Sequence, residues 1–268
     1  MRKRLGTLLI VLLAGNAAAP ASTPATTARE VLDRARELNR TTRKWTDRTQ
    51  VLKMQIVDRR GGVREREVEV YYKKYDNDQA KSILFFRSPP EVKGTGFLQW
   101  VDPHSRNQQW LYLPGLKRIR QISGRSERDS FMGTDFSYED LAIVTEILDW
   151  SESEAASSIE REEPCEESRC WVLLFVPKEK DVAYTKIRVW LDSEYRLRRF
   201  EFANKKDEVA KRLDAMEIRP VSAIPTSFRL QMSDLRSGSH TVIEFQEVQY
   251  NTGIEDRMFS QHRLEKGL

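Results

Sequence analysis

The chain has 268 residues, of which 39% are hydrophobic and 32% are charged. This composition excludes a polytopic membrane protein, a collagen and a coiled coil, and the length allows one large β-rich unit or two small ones. The chain has 45 Lys and Arg residues and 41 Asp and Glu residues. Three of the basic residues lie at the N-terminus, so the rest of the chain is nearly neutral. This charge gives nucleic-acid binding little electrostatic support.

The N-terminal residues have the pattern of a secretion signal. Arg2, Lys3 and Arg4 precede a short apolar run at residues 8–14, and small residues follow it. This order predicts a signal peptide over residues 1–21, cleaved after Ala17 or Ala21, and a single domain over residues 22–268. The sequence therefore predicts export to the periplasm.

Export determines the redox environment of the cysteines. The two cysteines of the chain are Cys165 and Cys170, and they lie too far apart for a CxxC redox motif. In an oxidising compartment this spacing favours a structural disulfide across a short hairpin loop.

An amphipathic helix is predicted first, over Ala28 to about Thr42. Thr27 and Glu30 have the spacing of a capping box. The apolar residues that share one predicted helical face are Val31, Ala35, Leu38 and Trp45.

A long series of β-strands is predicted after the helix. Two alternating segments flank a turn at Gly61 and Gly62, which indicates a β-hairpin. Eleven further segments follow, at residues 81–87, 96–101, 108–113, 117–122, 157–162, 170–177, 185–191, 197–204, 209–219, 227–233 and 241–250. The predicted fold class is mainly β (α+β), with one curved antiparallel sheet or barrel.

Residues 123–148 interrupt this series with a polar loop and then an aromatic loop, which we expect to fold over the sheet. Asp135, Glu139 and Asp140 in this segment allow two interpretations, an acid/base pair or the cap of a helix that begins near Ser137. The cap is favoured because acidic residues are common in a first helical turn. The sequence contains no recognised nucleophile, phosphate-binding or zinc motif, so we expect no enzyme activity, no cofactor and no metal site.

Aromatic residues are concentrated on the strands before this segment and within it. They predict an apolar concave face, covered by the loop, that holds an acyl chain. The alternative is an ordinary core between sheet and helix, which periodicity alone favours. The candidate lipid-binding residues are Phe85, Phe97, Trp100, Trp110, Tyr112, Phe131, Met132, Phe136 and Tyr138.

Arg118 and Arg120 fall on one face of a predicted strand. Two arginines so placed can hold an anionic head group or a partner's carboxylate. A solvated outer face that is balanced by acidic neighbours explains them equally well.

Several of these segments resemble the LolA-like family of lipoprotein-sorting proteins. They are residues 94–98, 110–114 and 117–120 and, most specifically, residues 130–141, which read SFMGTDFSYEDL. The resemblance implies an incomplete antiparallel β-barrel, with a strongly curved sheet covered by an N-terminal helix and a helical or loop lid. It also implies a hydrophobic cavity for acyl chains.

The function implied by this resemblance is that of a periplasmic carrier. Such a protein binds the acyl chains of a lipid or lipoprotein and moves them toward the outer membrane, with transient membrane contact. An inner-membrane exporter of the RND or ABC type is the implied partner. The alternative is a non-carrier interaction module that docks on an RND-type exporter or another envelope partner.

Overall fold

A computed structural model of the chain describes residues 26–75, 79–102, 107–166 and 168–267. The predicted signal peptide, residues 1–21, lies outside the described residues. The α-helices of the described part are α1 (Ala28–Arg40), α2 (Tyr138–Glu146) and α3 (Gln261–Lys266). None of them is long and apolar enough to span a membrane.

Thirteen antiparallel strands in the described residues form one curved, unclosed sheet. The strands are β1 (Asp47–Val57), β2 (Val63–Lys74), β3 (Ala80–Ser88), β4 (Gly96–Val101), β5 (Gln108–Leu113), β6 (Arg118–Ile122), β7 (Ala155–Cys165), β8 (Ser168–Pro177), β9 (Lys186–Asp192), β10 (Leu197–Ala203), β11 (Val209–Val221), β12 (Ile224–Asp234) and β13 (Ser239–Tyr250). Their spatial order is β6-β5-β4-β3-β2-β1-β13-β12-β11-β10-β9-β8-β7. The pairing of β1 with β13 lies in the middle of this order. It joins a first half of the sheet, β1 to β6, to a second half, β7 to β13.

The predicted mainly β fold class is confirmed, with a curved sheet that does not close into a barrel. Each predicted strand overlaps an observed one, because hydrophobic alternation and turn residues mark both ends of these hairpins. Helix α1 has the predicted capping box between Thr27 and Glu30. The expectation that Trp45 shares its buried face is wrong, since α1 ends at Arg40 and Trp45 packs between Tyr72 and Tyr250 on the sheet.

The two faces of the sheet carry separate cores because successive side chains of a strand point to opposite sides. One core runs across both halves of the sheet and includes the buried residues of α1, Ala28, Val31, Leu32 and Ala35. We call the face that carries this core the inner face. The other side of β3 to β5 is the outer face. A smaller core packs there under the C-terminal segment, which includes Phe259 before α3 and Leu264 within α3.

Candidate functional site

The inner face is covered by residues 130–146, which we call the lid. Its first part is a loop closed on itself, with the backbone N–H of Phe131 donating to the carbonyl of Phe136 at 2.7 Å. At the tip, Met132 (φ 52°) and Gly133 (φ 74°) adopt left-handed backbone conformations that tighten the turn. The second part of the lid is α2, whose N-cap is Ser137.

Aromatic side chains of the lid fill the inner face. The Phe131 ring packs edge-on against Phe97 of β4 and against Tyr138, at centroid distances of 5.3 and 5.4 Å. It also lies 6.1 Å from the ring of Phe86 on β3. Phe97, Phe131, Phe136 and Tyr138 are all buried in the inner core, and Met132 packs against it. The sequence prediction of an aromatic loop folded over the sheet agrees with this arrangement.

The expectation that all nine candidate lipid-binding residues share one face is wrong for four of them. Phe85 and Trp110 are buried in the outer core, and Trp100 and Tyr112 pack against that core. The physical reason is the two-residue period of a strand, which turns Trp100 away from Phe97 and Trp110 away from Leu111. These four side chains lie under the C-terminal segment, to which the Trp100 indole donates a hydrogen bond at the Phe259 carbonyl, 3.0 Å.

Asp135 fastens the lid loop to β13. Its carboxylate accepts hydrogen bonds from the hydroxyls of Ser239 and Thr241, the latter at 2.7 Å. The backbone N–H of Asp135 donates to the Thr241 hydroxyl oxygen at 3.0 Å. These polar contacts join the lid loop to β13, the strand that pairs with β1, in addition to the packing of Phe136 in the inner core.

Asp140 fastens α2 to the second half of the sheet. Its carboxylate caps the helix by accepting from the Ser137 backbone N–H at 2.7 Å, as the cap interpretation predicted. It also pairs with the Lys211 ammonium at 2.6 Å and accepts from the Tyr184 hydroxyl at 2.7 Å. Burial and the adjoining carboxylate raise the pKa of Tyr184, so this hydroxyl stays a hydrogen-bond donor.

Two adjoining cavities flank the last turn of α2. Their volumes are about 680 and 580 Å³, and Glu146, Trp150 and Glu154 line both. Glu146 accepts from the Asn107 side-chain amide at 2.7 Å, and burial raises the pKa of its carboxyl to about 7. Charged and polar side chains line much of both cavities, which differs from the hydrophobic cavity that the family resemblance implies.

Two arginines of β2 also face the inner side, and sequence reasoning missed them. Arg66 and Arg64 lie opposite Met54 and Ile56 of β1 in the strand register, so they share the face of that core. The alternation of β2 carried the signal. Val68, Val70 and Tyr72 lie on one face of the strand, and the same two-residue period places Arg66 and Arg64 on that face.

The remaining predicted site residues lie at the margins of the sheet. Arg118 and Arg120 are exposed on the edge strand β6, opposite Leu113 and Leu111 in register, so they point to one face as predicted. Within the described residues neither forms an ion pair. Cys165 and Cys170 are joined in a disulfide at the β7–β8 hairpin.

With this geometry described, the chain can be compared with known proteins. A family model with the description "uncharacterized protein" matches residues 78–266. A crystal structure from Vibrio parahaemolyticus, described as an outer membrane lipoprotein-sorting protein domain, is 27% identical, covers 87% of this chain and 97% of its own, and superimposes with a TM-score of 0.79. The chain belongs to a distant LolA-like family.

Two further structures place this LolA-like chain. A DUF1329 family protein from Desulfovibrio piger is 26% identical over 88% of this chain and 98% of its own, with a TM-score of 0.79. A LolA superfamily protein from Nitrosomonas europaea shares the fold at 17% identity, over 89% of this chain and 100% of its own, with a TM-score of 0.66. No curated protein matches the sequence. The LolA-like chain thus has the fold of lipoprotein-sorting and carrier proteins.

Proposed function

We propose that the LolA-like chain is a periplasmic carrier that binds the acyl chains of a lipid or lipoprotein on its inner face, beneath the lid. The carrier shields these chains from water and moves them toward the outer membrane without covalent chemistry. The comparison with a lipoprotein-sorting domain supports the class of cargo. The predicted signal peptide supports the location.

The lid carries this proposal. Phe131, Phe136 and Tyr138 fill the inner face with apolar side chains, yet they belong to a loop and a short helix rather than to the sheet. Their attachment to the second half of the sheet relies on the carboxylates of Asp135 and Asp140. A removable aromatic plug over an apolar sheet is what a carrier needs, because it covers the binding surface when cargo is absent.

The energetics of such exchange are balanced. An acyl chain gains about 0.8 kcal/mol for each buried methylene group. Displacing the lid opposes this gain, since aromatic contacts and hydrogen bonds must break before the chain can enter. A carrier must release its cargo, so a lid that competes with the acyl chain keeps the net affinity moderate.

Native mass spectrometry with organic extraction tests the proposal, on mature protein purified from a periplasm without detergent. We expect a bound acyl species in the extract. A ligand-free mass that persists after incubation with envelope lipids or acylated peptides would contradict the carrier.

A matched pair of variants locates the binding face. Phe97 and Phe85 are almost fully buried, at 2% and 1% exposure, on opposite faces of the sheet. Both Phe97→Ala and Phe85→Ala should destabilise the protein by about 3–5 kcal/mol, since each leaves a cavity. Only Phe97→Ala should change lipid occupancy, and equal effects on occupancy would contradict an inner-face site.

A second candidate function is an interaction module that docks on an RND-type exporter or another envelope partner. The exposed arginines Arg118 and Arg120 at the free edge of the sheet favour it. This candidate predicts that Arg118→Glu/Arg120→Glu abolishes partner binding in a pull-down from envelope extract while lipid occupancy is unchanged. Unchanged pull-down would exclude it.

A further inference from the structure

Arg66 is a buried cation without a counter-ion in the described residues. Its residue exposure is 8%, and its Nη1 atom has no hydrogen-bond partner there. Its guanidinium lies 5.4 Å from the centre of the Phe86 ring. A buried charge that lacks a partner costs several kcal/mol of stability, and an anionic group brought by a ligand would offset this cost.

The acidic residues next to Arg66 in sequence do not neutralise it. Glu65 and Glu67 alternate with it along β2 and therefore point to the opposite side of the sheet. There Glu65 pairs with Lys53 at 3.0 Å and Glu67 with Arg87 at 3.4 Å. Desolvation, together with the charge of nearby Arg64, lowers the pKa of Arg66, as expected where like charge rather than opposite charge surrounds a buried group.

Arg64 connects this positive site to the lid. Its Nη2 atom donates to the carbonyl of Gly133 at the lid tip, 3.3 Å away. Phe86, which lies under Arg66, in turn faces Phe131 of the lid. The two arginines thus lie where the aromatic residues of the lid meet the sheet. Movement of the lid tip would release the exposed Arg64 from Gly133 and open access to the buried Arg66.

We propose that Arg66, assisted by Arg64, forms an anion-binding subsite under the lid tip that takes the phosphate or carboxylate group of an amphiphile whose tail lies on the neighbouring aromatic surface. The guanidinium of Arg66 matches such a group because its planar donors bind two oxygens at once. This inference rests on the proposed carrier function for the tail, while the anion site itself is testable separately.

Calorimetric titration with three probes tests the subsite: dodecyl phosphate, dodecyl maltoside below its micelle concentration, and inorganic phosphate. The wild-type protein should bind dodecyl phosphate about tenfold or more tightly than dodecyl maltoside, since hydrogen bonds to a charged group add that much. Arg66→Met should remove this preference and leave maltoside binding unchanged. The control Arg87→Met, on the outer face, should keep the preference.

The ligand-free proteins provide an independent readout. Because Arg66→Met removes a buried charge and keeps an apolar side chain of similar length, its Tm should equal or exceed that of the wild type. A lower Tm would show that Arg66 stabilises the fold through its contact with Phe86. It would contradict the premise that the buried charge of Arg66 is uncompensated in the ligand-free protein. If Arg66→Met does not fold, Arg66→Lys replaces it and should lose most of the preference, because a lysine lacks the forked donors; an unchanged preference would overturn the proposal.

The three titrations also show which kind of molecule supplies the anion, and they test the subsite and the carrier function separately. Inorganic phosphate that binds in an Arg66-dependent manner, as tightly as dodecyl phosphate, identifies a free anion as ligand and supports the subsite. Binding of dodecyl phosphate alone identifies an amphiphile head group. Equal affinity for both amphiphiles in the wild type overturns the subsite and leaves the carrier intact, whereas the absence of binding by either amphiphile contradicts the carrier.

Discussion

At the scale of single residues, buried ionisable groups determine how the lid is held. Asp140 is fully buried and joins three elements, since it caps α2, pairs with Lys211 of β11 and accepts from Tyr184 before β9. The cap interpretation thus accounts for Asp140, and Glu139 also lies in the first turn of α2. Asp135 has a different task, the attachment of the lid loop to β13.

Asp140→Asn should destabilise the protein by about 3–5 kcal/mol, because it leaves the ammonium of Lys211 without its buried partner. Urea unfolding measures this change. Adding Lys211→Met to the variant should restore part of the loss. The exposed pair of Lys186 and Asp207 provides the control, and Asp207→Asn should have no measurable effect; a comparable loss in that variant would argue against burial as the cause.

Glu146 should make stability depend on pH. Burial raises the pKa of its carboxyl to about 7 from the ordinary 4.5, so between these values the native state holds a proton that the unfolded chain releases. The contribution of Glu146 to stability is therefore most favourable below pH 4.5 and declines as the pH rises through 7.

Glu146→Gln removes this dependence because glutamine stays neutral and still accepts from Asn107. Its Tm should exceed that of the wild type increasingly between about pH 5 and about pH 8. The control is Glu152→Gln, at a side chain that is 82% exposed, and its Tm should follow that of the wild type at every pH. A gap between Glu146→Gln and wild type that stays constant with pH would contradict a raised pKa.

At the scale of elements, the two faces of the sheet are covered by two different segments of the chain. The C-terminal segment covers the outer aromatic residues, and the lid covers the inner ones. Both covers are short in sequence and rich in aromatic contacts. Both covers bury apolar side chains, but the lid is also bonded to the second half of the sheet through the carboxylates of Asp135 and Asp140.

Phe259→Ala should reduce the free energy of unfolding by about 3–5 kcal/mol, because the side chain is almost fully buried and a cavity remains. Amphiphile binding by the folded variant should equal that of the wild type, since Phe259 lies across the sheet from the lid. Loss of binding in parallel with stability would show that the outer core takes part in ligand binding.

The disulfide should stabilise only its own hairpin. Cys165 and Cys170 are five residues apart in sequence, and closing so short a loop contributes about 2 kcal/mol or less. Cys165→Ser/Cys170→Ser should lower the Tm slightly and leave lipid occupancy unchanged. Thermal unfolding with and without a reductant gives the same comparison on the wild type, and a loss of occupancy in the folded variant would indicate a redox role.

At the scale of the whole molecule, the lid connects the two halves of an unclosed sheet. Its aromatic residues pack on β3 and β4 of the first half, while Asp135 and Asp140 bind β13 and β11 of the second. Cargo that enters beneath the lid must break one of these two sets of contacts. Within the polar set, the contacts of Asp135 are the easier ones to break, because they are only part-buried and water can replace their hydrogen bonds, whereas the pair of Asp140 and Lys211 is buried.

Asp135→Ala should therefore loosen the lid and accelerate the uptake of a fluorescent fatty acid several-fold. It should also lower the free energy of unfolding by about 1–3 kcal/mol, because the buried Thr241 hydroxyl loses its acceptor. Stopped-flow fluorescence measures the rate. Glu244→Ala, which removes a carboxylate from the same strand β13 where it pairs with Arg229, is the matched control. Equal uptake rates for Asp135→Ala and wild type would contradict a lid that opens at the β13 side.

The sequence by itself determined the order of elements, because each depends on local patterns. The capping boxes at Thr27 and Ser137, the turn at Gly61 and Gly62 and the alternation of nearly every strand are legible within a few residues. The aromatic lid was predicted for the same reason, as a long insertion whose composition argues for packing.

Only the tertiary structure decided which residues meet. Strand alternation turns Trp100 and Trp110 away from Phe97, but only the packing of the C-terminal segment makes that second face a core. The partners of Asp140, more than 40 residues away in sequence, and the absence of a described partner for Arg66 likewise depend on strand pairing. Local patterns specify which face a side chain takes within its strand, but burial and charge compensation are properties of distant segments brought together, and these decide the candidate site.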